Sequence, residues 1–311
     1  MATGKIDTHQ HFFPKAYIDS VGLDVLAAQM PSRRAPDWSP EKAIAMMETN
    51  GIAEGILSVS SVSRLPNATT VLRQCNEAAA ELRGKYPGRF GSFANLPLPD
   101  VDASLREVAY ALDELNADGF IVFTSYEGRY LGDADFQPLW EELNRRDAVV
   151  LVHPNEPNYE IPNIAPASVL EFPFETTRAA TSLILSGVIK RFSRIRFILS
   201  HAGGTLPYLL PRISLSMRMM PGIIDQVGTA EDAFRAFYYD TALASGRTTF
   251  AALAEFVDPT HILFGTDFPM APDFGLKTFN EELERLDVPG LSRPAIYRGN
   301  AARLLGRDPQ S

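Results

Sequence analysis

The chain has 311 residues, of which 45% are hydrophobic and 22% charged, so its composition is that of a folded globular protein and excludes a disordered one. The formal net charge of −9 argues against nucleic-acid binding, because neutralising phosphates requires a basic face. The one cysteine, Cys75, excludes an internal disulfide, and no apolar run is long enough to span a membrane, so we expect a cytoplasmic protein without nucleic-acid or membrane partners.

Short apolar runs alternate with longer amphipathic stretches along the whole chain. Most of the runs are apolar without strict alternation, which is typical of parallel strands that are buried on both faces. We predict eight strands, which are Lys5–His9, Gly55–Val59, Phe90–Ala94, Gly119–Phe123, Val149–His153, Arg196–Ser200, Phe237–Asp240 and His261–Phe264.

Amphipathic stretches that are typical of helices lie between these strands. The first begins with Ser39 as an N-cap and Pro40 at the first helical position. The predicted helices are Ser39–Asn50, Ala68–Tyr86, Asp102–Asn116, Asp135–Arg146, Thr176–Arg191, Gly204–Arg218, Arg247–Phe256, Leu276–Leu286 and Arg293–Leu305. Pro154–Glu175 and Met219–Thr229 are predicted as long loops, which in compact domains are often functional lids.

The alternation of strands and helices predicts the fold class. Eight strands, each followed by a helix, are the pattern of a (β/α)8 TIM-type barrel, and we expect it to span residues 1–311 as a single domain. The alternative is an open doubly wound sheet, which usually carries a glycine-rich first turn. The first turn here, His9-Gln10-His11-Phe12-Phe13-Pro14, contains no glycine, which favours the barrel.

Four of the five histidines lie where a predicted strand ends. His9 and His11 end the first strand, His153 ends the fifth and His201 follows the sixth, while Asp267 comes three residues after the eighth. The carboxyl ends of barrel strands meet on the face that holds the active site. His9 and His11 are two residues apart on a strand, so both side chains point to the same side. The order of these residues therefore predicts a site for a divalent metal ion.

Two further polar residues mark the two ends of the predicted barrel. His261 precedes Asp267 by six residues, which places it roughly 20 Å down a strand and predicts a structural role near the opposite face. Asp240 ends the seventh strand, and we expect it to orient His201 or a metal ligand.

Five motifs are spread along nearly the whole chain, which are Ile6-Asp7-Thr8-His9-Gln10-His11-Phe12-Phe13-Pro14, Leu151-Val152-His153-Pro154, Ser200-His201-Ala202-Gly203-Gly204, Phe264-Gly265-Thr266-Asp267-Phe268-Pro269 and Gly299-Asn300-Ala301-Ala302-Arg303-Leu304-Leu305. These motifs resemble the amidohydrolase superfamily, and more closely its amidohydrolase-related group of aminocarboxymuconate-semialdehyde decarboxylase and the aromatic-acid decarboxylases. Within that group, the segment Phe172-Pro173-Phe174-Glu175-Thr176-Thr177-Arg178 is similar to that of fungal 6-methylsalicylate decarboxylases.

The resemblance implies metal ligands at His9, His11, His153 and Asp267, and a catalytic, usually non-ligating, imidazole at His201. Binuclear members of the superfamily carry a carboxylated lysine at the end of the fourth strand, where this chain has Phe123-Thr124-Ser125-Tyr126. We therefore expect one divalent metal ion. Three imidazoles and a carboxylate suit Zn²⁺, with Mn²⁺ as the alternative because related enzymes acting on aromatic acids use it.

Four residues are candidates for substrate binding. Arg178 and Arg64 are cations on the expected catalytic side, and an arginine fork binds carboxylates well. For Arg178 an ion pair with Glu175 or Glu171 is an equally good interpretation. Phe174 and Phe13 are candidates for the walls of an apolar pocket around a planar ring, although core packing explains either of them alone.

Three functions remain open from the sequence. The first is a metal-dependent decarboxylase of a small hydroxylated aromatic acid, with 6-methylsalicylate as the best candidate and with Asp267, or a water beside His201, as the proton donor. The second is a metal-dependent hydrolase of a lactone or similar ester, because the same ligands would activate water. The third is a non-catalytic binding protein.

The resemblance also predicts a homodimer or larger homo-oligomer, in keeping with the apolar segment Leu215–Ile224.

Overall fold

The protein is a (β/α)8 barrel in a computed structural model that describes residues 4–30, 32–61, 65–160, 164–271 and 273–308. Eight parallel strands pair with their neighbours in chain order, which confirms the predicted fold class. The strands are β1 Lys5–His11, β2 Ile52–Ser58, β3 Phe90–Asn95, β4 Gly119–Phe123, β5 Val149–His153, β6 Arg196–Leu199, β7 Tyr238–Asp240 and β8 Ile262–Leu263.

The last strand is short, and the segment that follows it closes the barrel onto β1. The backbone nitrogen of Thr8 donates to the carbonyl of Phe264 at 2.9 Å, and that of His11 donates to Phe268 at 2.7 Å. Between these bonds the nitrogen of Asp267 donates to the carbonyl of His9 at 2.8 Å. Closure of the barrel therefore places Asp267 directly beside the two histidines of β1.

Helices surround the barrel, and they begin and end close to several sequence signals. Ser39 caps its helix, because its side chain accepts a hydrogen bond from the nitrogen of Lys42, as predicted. The helices are α1 Lys15–Val21, α2 Leu23–Gln29, α3 Pro40–Thr49, α4 Ala68–Lys85, α5 Val101–Asp113, α6 Gln137–Arg145, α7 Glu171–Leu185, α8 Val188–Arg191, α9 Leu206–Arg218, α10 Ile223–Val227, α11 Ala230–Ala236, α12 Arg247–Ala254, α13 Asp273–Glu284 and α14 Asn300–Leu304.

The structure corrects the two predicted long loops. The stretch Pro154–Glu175 ends in the first turn of α7, which begins at Glu171 and not at Thr176. The stretch Met219–Thr229 contains α10. Both helix starts lack a side-chain cap, so the sequence signal that marked Ser39 is missing there.

The continuous apolar runs of the strands build the buried core of the barrel. Val122 of β4 and Val152 of β5 are completely buried and lie side by side in the sheet, since the residues of a parallel sheet covered by helices meet apolar neighbours on both faces. Throughout the described ranges, no helix is both long and apolar enough to cross a membrane.

Candidate active site and metal centre

Three histidines and one aspartate converge at the carboxyl end of the barrel. The Nε2 atom of His11 lies 3.2 Å from Nε2 of His9 and 3.2 Å from Nε2 of His153. Oδ1 of Asp267 lies 3.1 Å from Nε2 of His11 and 3.5 Å from Nε2 of His9. All four residues are buried. The structure thus brings together the four predicted metal ligands.

The donor set of this cluster fits a divalent cation. A neutral imidazole has one N–H, and His9 uses its own at Nδ1, which donates to Oδ2 of Asp240 at 2.8 Å. In this neutral form the Nε2 atom of His9 presents a lone pair to the other imidazoles and to the Asp267 carboxylate. Nitrogen and oxygen lone pairs that face one another at these distances are stabilised by a shared positive ion, and three imidazoles with one carboxylate suit a transition metal.

His201 lies at the edge of the same cluster. Ligand atoms of His9, His153, His201 and Asp267 all lie within 4.8 Å of one another. Nε2 of His201 is 3.5 Å from Oδ2 of Asp267, whereas Oδ1 of Asp267 faces His9 and His11. The aspartate thus directs one oxygen toward the β1 histidines and the other toward His201.

Charge and burial set the protonation states in the cluster. Burial lowers the pKa of His153 well below its usual value, and the neighbouring His11 and His9 lower it further. Burial raises the pKa of Asp267, but hydrogen bonds with His11 and His201 and the charge of His9 outweigh this and hold that pKa well below its usual value. A neutral imidazole and an ionised carboxylate are the forms in which these groups bind metals.

His9 differs from His153 because it is surrounded by carboxylates. Burial lowers the pKa of His9, but Asp240, followed by Asp267 and Asp7, raises it overall to about 9. The same negative surroundings favour a bound cation, which would compete with the proton for Nε2 and release it on binding.

Asp240 supports two members of the cluster, as its position at the end of β7 predicted. One oxygen accepts the hydrogen bond from His9, and the other accepts from the backbone nitrogens of His201 at 2.9 Å and Ala242 at 3.0 Å. This partner fixes the tautomer and ring orientation of His9. It also anchors the turn that carries His201.

Asp7 is a supporting residue that the sequence analysis missed. Its carboxylate is buried and accepts hydrogen bonds from Oγ1 of Thr266 at 2.6 Å, from the nitrogen of Thr266 at 3.0 Å and from Nε2 of Gln10 at 2.8 Å. Burial raises its pKa to about 6 against these hydrogen bonds. The carboxylate ties β1 to the segment that carries Asp267. An acidic residue in the first strand, two positions before His9, was the signal.

The backbone is strained where the candidate proton-transfer residues lie. His201 has a φ of +53°, Ala202 of +54° and Asp267 of +60°, a region that residues other than glycine rarely adopt and that concentrates at functional sites. Gly204 is required here for packing, because a Cβ atom would lie 2.1 Å from the carbonyl oxygen of Pro173.

A cavity of about 410 Å³ opens beside the cluster, within the usual size range of small-molecule sites. One wall is formed by His153, His201 and Asp267. Asn155 and Glu156, from the loop after β5, contribute to the rim. Most of the remaining wall is apolar, with Met30, Val169, Phe172, Pro173, Leu243, Met270, Ala271 and Phe279.

The aromatic residues predicted for this wall require a correction. Phe174 is 41% exposed and does not line the cavity, whereas Phe172 does. Residues two positions apart on a helix point about 200° away from each other, and both phenylalanines lie on α7.

Phe13 does not line the cavity either. It is buried against Tyr17, with ring centroids 6.0 Å apart, and borders a separate groove, because β1 ends at His11 and the chain turns toward α1.

The predicted cationic residues are placed differently. Nη1 of Arg178 donates to Oε1 of Glu175 at 2.9 Å, and its side chain is 45% exposed. The structure therefore shows the ion-pair alternative, and Arg178 does not line the cavity. Arg64 lies outside the described residues. Among the cavity-lining residues of the described ranges there is no lysine or arginine.

His261 lies at the opposite end of the barrel, as predicted. It directly precedes β8, its ring stacks on Tyr238 with centroids 3.9 Å apart, and its Nδ1 donates to the carbonyl of Arg235 at 2.9 Å. These contacts are those of a structural histidine.

Known proteins are similar to this chain along nearly its whole length. The sequence profile of the Amidohydrolase family matches residues 6–307. A 6-methylsalicylic acid decarboxylase of Penicillium expansum is 38% identical over 97% of this chain and 96% of its own length. The 6-methylsalicylic acid decarboxylase acuB of Aspergillus aculeatus is 39% identical over 97% of this chain and 96% of its own length.

A solved structure is similar in three dimensions. A dihydroxybenzoic acid decarboxylase of Polaromonas, crystallised with manganese and the inhibitor 2-nitroresorcinol, superposes with a TM-score of 0.79 at 26% identity. The superposition covers 97% of this chain and 97% of that one.

Proposed function

This chain belongs to the amidohydrolase family, and we propose that it is a metal-dependent, non-oxidative decarboxylase of a small hydroxylated aromatic carboxylic acid. As the substrate we propose 6-methylsalicylate or a closely similar hydroxybenzoate. Two fungal relatives that carry the name 6-methylsalicylic acid decarboxylase are 38% and 39% identical to this chain along nearly its whole length, which supports this substrate class.

The observation that carries the proposal is the position of the Asp267–His201 pair. Oδ2 of Asp267 and Nε2 of His201 are 3.5 Å apart, and both residues line the cavity whose other walls are largely apolar. A planar ring in that cavity would meet a carboxylate and an imidazole on one side and apolar groups such as Phe172 on the other. These are the surroundings that a proton transfer to a ring carbon needs.

The chemistry assigns an order to the steps. Direct loss of CO2 from a ring carboxylate would leave an aryl carbanion, which is very unstable. The proton must therefore add first to the ring carbon that bears the carboxylate. The bond between that carbon and the carboxylate then breaks, its electron pair returns to the ring, CO2 leaves and aromaticity is restored.

Within this scheme the chain's own residues hold the proton and orient the acid. A divalent metal held by His9, His11, His153 and Asp267 would supply Lewis-acid stabilisation for the negative charge of the substrate oxygens. Asp267 is ionised in the free site, so it must first take up a proton at Oδ2 from the substrate's hydroxyl or from water. That proton, or one from a water held beside His201, is then delivered to the ring carbon. The apolar walls keep bulk water from the ring, which strengthens the electrostatic interactions in the cavity.

The donor set supports one divalent metal ion, and we propose Zn²⁺ with Mn²⁺ as the alternative. Thr124, which follows β4 where binuclear relatives carry a lysine, donates from Oγ1 to Oδ1 of Asn155 at 2.6 Å. The manganese in the Polaromonas enzyme keeps Mn²⁺ as a candidate. Elemental analysis of the purified protein distinguishes the two, and two metal ions per chain at full occupancy would contradict the proposal.

A CO2-release assay on a panel of acids tests the function. We expect salicylates to react and para-hydroxybenzoates not to react, because only an ortho hydroxyl lets the acid chelate the metal with its carboxylate. Equal rates for both would contradict the chelation argument. A lactone panel runs alongside, and if a lactone opens while no acid loses CO2, the protein is a hydrolase.

We also propose that the protein is a homodimer or larger homo-oligomer. Leu215 on α9 and Met219, the residue directly after this helix, are 61% and 77% exposed, which supports a partner surface there. Met217, which lies between them, is buried and belongs to the core.

A further inference from the structure

Helix α7 carries part of the cavity wall and is attached firmly to the turn of His201. A Cβ atom at Gly204 would lie 2.1 Å from the carbonyl oxygen of Pro173, so the two segments are in close contact. The backbone nitrogen of Thr205 donates to Oγ1 of Thr177 at 2.9 Å, and the two threonine hydroxyls are also 2.9 Å apart. Phe172 and Pro173 are therefore held in a fixed position relative to His201.

On its other side, α7 is joined to the segments after β4 and β5 at a carboxylate oxygen of Glu175, and Oγ of Ser182 accepts a further hydrogen bond from the nitrogen of Gly132 at 3.0 Å. Oε1 of Glu175 accepts hydrogen bonds from the hydroxyl of Tyr130 at 3.0 Å, from the hydroxyl of Tyr159 at 3.3 Å and from Nη1 of Arg178 at 2.9 Å. The Glu175 side chain is completely buried. Burial and the neighbouring carboxylate raise the pKa of both tyrosines, so their hydroxyls keep their protons and can donate.

The two tyrosines come from two different segments, of which the loop after β5 lines the cavity. Tyr130 belongs to a hairpin of Ser125–Tyr126 and Arg129–Tyr130 that follows β4. Tyr159 belongs to the loop after β5, whose residues Asn155 and Glu156 line the cavity. The hairpin and the loop are also joined to each other, because Nδ2 of Asn155 donates to the carbonyl of Ser125 at 2.9 Å.

We propose that Glu175 is a positioning residue that holds the loop after β5 and the α7 wall together around the aromatic ring of the substrate, with the hairpin after β4 joined to both. This inference rests on the proposed function, since it concerns the ligand of the same cavity. Glu175 does not line the cavity, so it acts through the segments that it joins. It sets the width of the cavity between Asn155 on one side and Phe172 on the other.

If Glu175 positions these segments, loss of its hydrogen bonds should affect substrate binding more than the chemical step. The proton-transfer pair is anchored elsewhere, through Asp240 and the closure of the barrel. Loosening the loop therefore weakens the binding of substrate and transition state alike, which raises KM and leaves kcat nearly unchanged.

The decisive variant is Tyr159→Phe, with Tyr110→Phe as the matched control. Tyr159 is 46% exposed, so removing its hydroxyl leaves no buried hole. Tyr110 makes a similar bond, from its hydroxyl to Oε1 of Glu77 at 3.0 Å, but it lies on α5 away from the cavity. The pair Glu175→Ala and Glu175→Gln adds a test of rescue, since glutamine keeps an acceptor oxygen at the same place.

Two quantities are measured on each metal-loaded variant, together with its metal content and thermal midpoint. One is the KM and kcat for 6-methylsalicylate. The other is the Kd for 3-methyl-2-nitrophenol by calorimetry, a probe in which a nitro group replaces the carboxylate so that no CO2 can leave.

We expect Tyr159→Phe to raise both KM and Kd about fivefold, the effect of one lost hydrogen bond, with less than a twofold change in kcat and with unchanged metal content and thermal midpoint. Tyr110→Phe should match the wild type, and Glu175→Gln should recover most of the affinity that Glu175→Ala loses. Unchanged KM and Kd in folded Tyr159→Phe would overturn the proposal, as would equal losses in both glutamate variants. If the wild type releases no CO2 from any acid, the proposed function is wrong, and the ratio of the Kd values still decides the role of Glu175.

Discussion

At the scale of single residues, the two oxygens of Asp267 have different neighbours. Oδ1 lies near Nε2 of His9 and His11, and Oδ2 lies near Nε2 of His201. One carboxylate thereby joins the candidate metal centre to the candidate proton donor. The left-handed backbone conformation of Asp267, with φ at +60°, is held by the hydrogen bonds of the segment that closes the barrel.

The first prediction compares the turnover of variants at His201 and His261. We expect His201→Ala to keep its metal and to lose turnover by roughly 10²-fold or more, the effect of removing a general acid or base. His261→Ala should keep nearly full turnover, because His261 stacks on Tyr238 at the other end of the barrel. Steady-state kinetics and metal analysis on both variants, at equal folded content, check this. Equal losses of activity would show that the two histidines are not functionally distinct.

The second prediction concerns the support of His9. Asp240→Asn removes the charged acceptor of the His9 Nδ1 proton, and we expect the metal affinity to fall about 10- to 100-fold, as for other supporting partners of ligating histidines. Competition with a chelator measures this. Asp258→Asn is the matched control, because Asp258 binds Thr260 at the opposite end of the barrel, and its metal affinity should equal that of the wild type.

At the scale of elements, α7 shows how the start of a helix decides which side chains reach a site. The helix begins at Glu171, so Phe172 points into the cavity and Phe174 points outward. A start at Thr176, as the sequence suggested, would have left both phenylalanines in a loop with no fixed direction. The same early start places Glu175 within the helix, where it meets Tyr130 and Tyr159.

The third prediction uses this pair of phenylalanines. We expect Phe172→Ala to raise KM for a methyl-substituted salicylate about tenfold, since removing an aromatic wall loses apolar contact with the ring. Phe174→Ala should leave KM unchanged, because this side chain is largely exposed. Steady-state kinetics of both variants check the assignment, and an equal effect at the two positions would contradict it.

At the scale of the whole molecule, the candidate metal ligands come from the first strand, the fifth strand and the segment after the eighth. A bound ion therefore connects parts of the chain that are far apart in sequence. A ligand that binds only the folded state stabilises it in proportion to the logarithm of its concentration over Kd. Metal binding at the site should therefore stabilise the folded barrel.

The fourth prediction follows from this stabilisation. Removing the metal with a chelator should lower the thermal midpoint by several degrees, and adding Zn²⁺ or Mn²⁺ should restore it. Differential scanning calorimetry measures the shift. His9→Ala lacks one ligand, so its midpoint should respond far less to either treatment. An identical midpoint for the wild type with and without metal would show that the ion does not bind at this site.

The fifth prediction concerns assembly. Light scattering at micromolar concentration should give at least a dimer. Leu215→Glu on the exposed face of α9 should shift the protein toward the monomer, because a charge there disfavours an apolar interface. Leu23→Glu, at another exposed position, is the control and should leave the assembly unchanged. A monomeric wild type would contradict the proposal.

The sequence by itself determined the barrel, the order of its strands and the residues that meet at its carboxyl end. This was possible because strand periodicity is local and barrel topology brings all strand ends together, so His153 and Asp267 had to approach His9 and His11 whatever the details of packing. The placement of His261 at the other end followed from the same geometry.

The position of Asp240 at the end of β7 already predicted a supporting role, but only the tertiary structure decided that it binds His9 and which other side chains support and surround the site. Asp7 binds Thr266, which is far away in sequence, and no local pattern encodes the distance between them. The start of α7 decides that Phe172 lines the cavity and Phe174 does not. It also decides that Arg178 pairs with Glu175. That boundary carries no capping signal and is set by packing against the turn of His201, which is a property of the folded molecule.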